Sequence, residues 1–140
     1  MTLEEVYEDV VKLSHDERVA FGKEKLQLVA HWLLERDLSE EKIGDFILRL
    51  TSLFSSADNV ANQAEYKVFI DITGFDISYL DFHYLVSLHN SPEKVEEMND
   101  IIDTFPKEIK FAICHYGLAL LSADGVINEK ERELFERILD

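Results

Sequence analysis

Four carboxylates stand in matched pairs along this 140-residue chain: Asp58 with Glu65, and Asp124 with Glu131, the second pair 66 residues after the first. Carboxylate oxygens are hard ligands. Two such pairs brought together about a pseudo-twofold axis would hold a divalent cation such as magnesium, calcium or manganese. The same residues also have a local use, because an aspartate in a turn accepts backbone N–H bonds and a glutamate three residues after a helix cap closes a capping box. Spacing alone leaves both readings open.

The pairs are parts of a longer match. "SADNVANQAEYKVF", Ser56 to Phe69, and "SADGVINEKERELF", Ser122 to Phe135, agree at seven of fourteen positions without a gap. Upstream the pattern persists, with Ile43 over Ile109, Ile47 over Ile113 and Leu50 over Tyr116. The unit therefore reads as helix, short loop and capped helix, occurring twice. Asn59 and Gly125 are the residue types that best tolerate positive φ, so each suits the end of a helix. Asn62 and Asn128 then serve as caps, with Glu65 and Glu131 completing the boxes.

An EF-hand would share some of this spelling. Asp124, Gly125 and Glu131 fit positions 5, 6 and 12 of a calcium loop, but position 1 falls on Leu120, and on Phe54 in the first copy. The leading aspartate is missing, so the loop is not an EF-hand. Elsewhere the chemistry is sparse. No histidine pair has zinc-ligand spacing, Cys114 and His115 diverge on one helix, and neither a phosphate-binding glycine loop nor a nucleophile elbow occurs. Cys114 reads as a small buried hydrophobe.

The elements that must position these residues are helical. Leu3, Val6, Val10 and Leu13 make a short stripe; Ser14 and Glu17 offer a capping box before a helix carrying Val19, Leu26, Val29 and Leu33. Ser39 opens a third helix whose Ile43, Phe46, Ile47, Leu50, Leu53 and Phe54 line one face. "YKVFIDIT" alternates loosely like a strand, yet it aligns with "REL…" in the second copy, where helix is the plain reading. After a turn at Gly74, Asp76 is placed to cap a helix carrying Ile77, Leu80, Tyr84 and Leu88. That helix has apolar residues on a second side, Tyr79, Phe82 and Val86, so it is either sandwiched between layers or a partner surface, and sandwiching is the expectation. Ser91–Pro92 and Pro106 open two more, the latter the most apolar and central.

Composition sets the outer bounds. With 46% apolar residues the chain can bury a core without staples, and one cysteine excludes an intrachain disulfide. A formal charge of −15 repels phosphate backbones and anionic lipid surfaces, which argues against nucleic acid and membrane as partners. The acidic N-terminal stretch lacks the basic start of a secretory signal, and no long apolar run occurs, so a cytoplasmic location is expected.

A helix ending "LLSADG", followed by a capped helix with a glutamate seven residues after the aspartate, resembles the tellurite-resistance TerB family. So does recurrence of that unit within one helical domain. The family resemblance extends to the helical domain at the N-terminus of a membrane-anchored DnaJ-type cochaperone, and rests on Leu120 to Glu131 with support from Phe54 to Glu65. It implies a role in metal-associated stress responses, with Asp58, Glu65, Asp124 and Glu131 as the acids to which metal binding is ascribed. Asn59 in place of the glycine is a departure in the first copy. The expected architecture is one all-α domain over residues 1–140, a bundle of about seven or eight helices containing two related helix–loop–helix units. The expected function is a cytoplasmic, non-enzymatic module for stress response or protein interaction, with a divalent cation or without one as an adaptor. A metal-dependent hydrolase would need the four acids around a shared ion in an open cleft.

Overall fold

A computed structural model describes residues 3–56, 63–124 and 128–139. Among these residues every regular element is helical: α1 (Leu3–Val11), α2 (His15–Leu34), α3 (Glu40–Ser56), α4 (Gln63–Thr73), α5 (Tyr79–Leu88), α6 (Pro92–Asp103), α7 (Lys107–Leu121) and α8 (Glu129–Leu139). A single 3-10 turn, Ser122–Asp124, follows α7. "YKVFIDIT" lies inside α4, and no strand occurs among the described residues. Nor is any described helix long and apolar enough to cross a membrane.

Local chemistry sets the helix starts. Ser14 Oγ accepts the Glu17 N–H at 3.2 Å while Glu17 Oε1 accepts the Ser14 N–H at 3.0 Å, so α2 opens on a complete capping box. Ser39 Oγ accepts from Lys42 N–H at 3.2 Å ahead of α3, and Ser91 caps α6 with Pro92 in its first turn. α5 begins later than its sequence suggests: Ser78, not Asp76, is the cap, its Oγ accepting the Asp81 N–H at 3.1 Å.

The apolar helix α7 is the axis of the core. It packs most extensively on α2, with α1, α3, α4 and α8 also against it. Ile113, Tyr116 and Leu120 are completely buried. Bare backbone lets two neighbours come close. A Cβ on Gly22 of α2 would stand 3.1 Å from the Ala119 Cβ, and one on Gly117 would stand 2.5 to 2.8 Å from three carbons of the Phe54 ring. That ring has no slack, since it stacks on Phe135 at 5.3 Å and meets Tyr116 edge-on at 6.5 Å. A fully buried pair ties the same region together. Thr51 Oγ1 donates to the Ile47 carbonyl at 2.8 Å, so the Tyr116 hydroxyl, 2.6 Å away, must be the donor to Thr51.

Several positions 66 apart are alike in burial. α4 and α8 start at Gln63 and Glu129 and end at Thr73 and Leu139. Ile43 and Ile109, Ile47 and Ile113, Leu50 and Tyr116, and Phe69 and Phe135 are all buried.

α5 is not sandwiched between layers as expected, because only one of its two apolar sides is buried. Phe82 and Val86 are buried, against Phe69 and Tyr66 in the case of Phe82, whereas Leu80, Tyr84 and Leu88 are 79%, 63% and 49% exposed. Starting the helix at Tyr79 and docking it on α3 and α4 turns the aromatic side inward, where Phe82 completes a ring cluster.

Candidate functional site

Of the four carboxylates, Asp58 lies outside the described residues, as do the side chain of Asp124 and the turn residues Asn59, Asn62 and Gly125. The two glutamates are described, and both are buried: Glu65 is 0% and Glu131 1% exposed. A carboxylate removed from water needs donors. Ser55 supplies one to Glu65, its hydroxyl 2.9 Å from Oε2. Glu131 Oε1 accepts the Asn128 N–H at 2.8 Å while Asn128 Oδ1 accepts the Glu131 N–H at 2.8 Å, the reciprocal box that starts α8. Both glutamates thus accept from donors of the chain itself. Among the described residues no three His, Cys, Asp or Glu side chains are grouped to hold a metal.

Two residues that the spacing does not single out also organise this end of the bundle. Arg18, on the first turn of α2, is buried; its Nε donates to Ser122 Oγ at 3.0 Å and its Nη2 to the Val11 carbonyl at 3.2 Å. One guanidinium therefore ties the C-terminal end of α1 to the turn after α7, a favourable place for a cation. No sequence rule pairs Arg18 with Ser122, because they are 104 residues apart.

A second region lies over α4 and α5. Gln63, Tyr66, Lys67, Ile70 and Asp71 follow one another along a face of α4, and Tyr79 of α5 walls it, enclosing a cleft of about 410 Å³. His15 Nε2 sits 2.6 Å from Asp71 Oδ2, with Lys67 Nζ at 3.7 Å. The imidazole hydrogen bond holds the Asp71 carboxyl below its ordinary range, aided by Lys67 and opposed by slight burial. This cluster pins the start of α2 to the end of α4. Rings run outward from the core in sequence, Phe69 to Phe82 to Tyr66 to Tyr79 to His83, with centroids 5.3, 5.5, 5.5 and 6.3 Å apart. The Tyr66 hydroxyl donates to the Ile77 carbonyl and fixes that ring. The row ends beside Leu80 and Tyr84, so the exposed apolar residues of α5 stand on a rigid base.

The cysteine is buried, and His89 and His115 are half-buried. Cys114 is 2% exposed and burial pushes its thiol up to about 12. Burial also lowers His89, helped by Arg49 and Lys94, and lowers His115, helped by Lys25. His115 packs edge-on against Phe21 at 5.7 Å.

No protein-family model matches this chain, and neither a curated protein nor a solved structure matches it significantly.

Proposed function

We propose that this chain is a non-enzymatic, TerB-like helical module that acts by binding another protein, and that α5 is its docking element. The observation that carries this reading is the row Leu80, Tyr84 and Leu88, three large apolar side chains at i, i+4 and i+8 that are all exposed on one helix. Single exposed leucines are ordinary, whereas an aligned row on a braced helix is the form used in helix-to-helix recognition. The two-unit, TerB-like reading is supported by α4 and α8, whose bounds keep the 66-residue offset, and by the buried pairs Ile43 and Ile109, Ile47 and Ile113, and Leu50 and Tyr116 on α3 and α7. On this reading Glu65 and Glu131 build their turns, and the stress-response role comes from the resemblance.

The test is photo-crosslinking in cells producing the protein. A photoreactive aromatic residue in place of Tyr84 should give a discrete adduct, and one in place of exposed Glu24 on α2 should not. Adding Leu80→Ser and Leu88→Ser should remove the adduct. Adducts of equal yield from both positions, or none from position 84, would overturn the reading.

A further inference from the structure

We infer that the partner of the α5 face is a basic amphipathic helix of another protein. The inference rests on the reading of α5 as a docking face and adds the chemistry of its occupant. Geometry comes first. Leu80 to Leu88 rises about 12 Å along the helix, enough to face two turns of a second helix bearing apolar side chains at i, i+3 or i+4 and i+7. The cleft lined by Tyr66, Ile70 and Tyr79, together with the Lys67–Asp71 pair, reaches α5 at Tyr79, next in sequence to Leu80, and is large enough to take one bulky anchor side chain.

Charge selects among occupants. Between Lys67 and Lys94 the chain has no lysine or arginine, while Asp71, Asp76, Asp81 and Glu93 in that span are all exposed. Asp71 is held by His15 and Lys67, but Asp76 and Asp81 stand at the N-terminal end of α5 and Glu93 just past its C-terminal end, where the nearby cations Arg49 and Lys94 are each paired with Glu97, at 3.6 and 3.9 Å. An apolar row bracketed by acids complements an apolar row bracketed by lysines and arginines. A second copy is the wrong partner, since a twofold contact would set these acids against their own images and bring together two chains of charge −15. An anionic lipid surface meets the same repulsion.

The experiment titrates the intact protein against fluorescent model helices and reads anisotropy. One peptide is an amphipathic Leu/Lys helix, a second has the same composition scrambled so that no apolar face forms, and a third is an amphipathic Leu/Glu helix. The Leu/Lys helix should bind, more weakly as salt rises, and the other two should bind at least about tenfold more weakly. Leu80→Ser with Leu88→Ser should weaken it about tenfold or more, a loss typical of removing central anchors. Asp76→Asn with Asp81→Asn should cost several-fold, whereas Glu8→Gln with Asp9→Asn on α1 removes the same charge and should leave affinity unchanged. Circular dichroism checks that each variant keeps its helices.

Each contrary result has its own meaning. Equal binding of the Leu/Glu helix, self-association abolished by Leu80→Ser in sedimentation, or Leu80-dependent binding to neutral or anionic vesicles overturns the basic-helix assignment and leaves α5 as an interaction face. Leu/Lys binding that ignores the Leu80 and Leu88 substitutions, or equals that of the scrambled peptide, overturns both. So does failure of every peptide and vesicle to bind.

Discussion

Replacing Gly117 by alanine tests the packing of the core at its tightest point. At an ordinary helical position this change stabilises by about 1 kcal/mol, because alanine is the better helix former. Here the new methyl would lie 2.5, 2.6 and 2.8 Å from three Phe54 ring carbons, about 1 Å inside normal contact distance. Phe54 is 0% exposed and is held by the Phe135 stack and the Tyr116 edge, so no rotamer removes it from the methyl. Overpacking of this kind costs about 1–3 kcal/mol, and after the propensity gain the net loss should be up to about 2 kcal/mol. The built-in comparison is Gly44→Ala on α3, where the nearest contact is one Phe75 carbon at 4.0 Å. That change should stabilise by up to about 1 kcal/mol. Urea unfolding followed by circular dichroism measures both, and Gly117→Ala combined with Phe54→Leu should recover part of the loss on the Gly117 side of a double-mutant cycle. Gly117→Ala stabilising as much as Gly44→Ala would refute the argument that Phe54 occupies the space a side chain there would need.

Three further outcomes follow from the same reasoning. Thr51→Val should cost more than Tyr116→Phe, about 1–3 against about 1 kcal/mol, because the first leaves a buried phenol donor without its acceptor while the second leaves Thr51 bonded to Ile47; equal losses in denaturant titrations would contradict the assigned donor directions. Asn128→Ala removes one half of the α8 capping box and should destabilise by about 1 kcal/mol, whereas Asn128→Asp should cost far less, compared by thermal unfolding. The third concerns pH. His89 and His115 are lowered in the fold, so the unfolded chain takes up their protons first; their stabilisation is complete above about pH 6.5 and declines as acid carries the protein through the folded midpoints. Asp71 and Asp103, lowered by His15 and by the Arg137 fork respectively, extend the loss below about pH 4. Imidazole NMR titrations of His89 and His115 should give midpoints below 6.5, and midpoints at or above it would remove the first stage.

Helix starts were legible in the sequence because capping is local. Ser14 with Glu17, Ser91 with Pro92, and Asn128 with Glu131 each close within three residues. The offset of 66 placed "YKVFIDIT" in a helix despite its strand-like alternation. The face of α5 was not legible, since Leu80, Tyr84 and Leu88 have the spacing of a core stripe and only the fit of Phe82 among Phe69 and Tyr66 decides which side turns inward. Site chemistry fared similarly. The Asn128–Glu131 box is short-range, but Ser55 reaching Glu65, His15 reaching Asp71 and Arg18 reaching Ser122 depend on tertiary approach that no spacing rule encodes.

The lone cysteine gives this chain a clock. Cys114 sits on the central helix, sealed from solvent and reluctant to ionise, so a thiol reagent can reach it only when α7 comes away from its neighbours. Its rate of alkylation under native conditions therefore counts the openings of the core, without any label or engineered residue. A cysteine introduced on the exposed side of α5 would react at once by contrast, so a single timed labelling would report surface accessibility early and the lifetime of the closed core late.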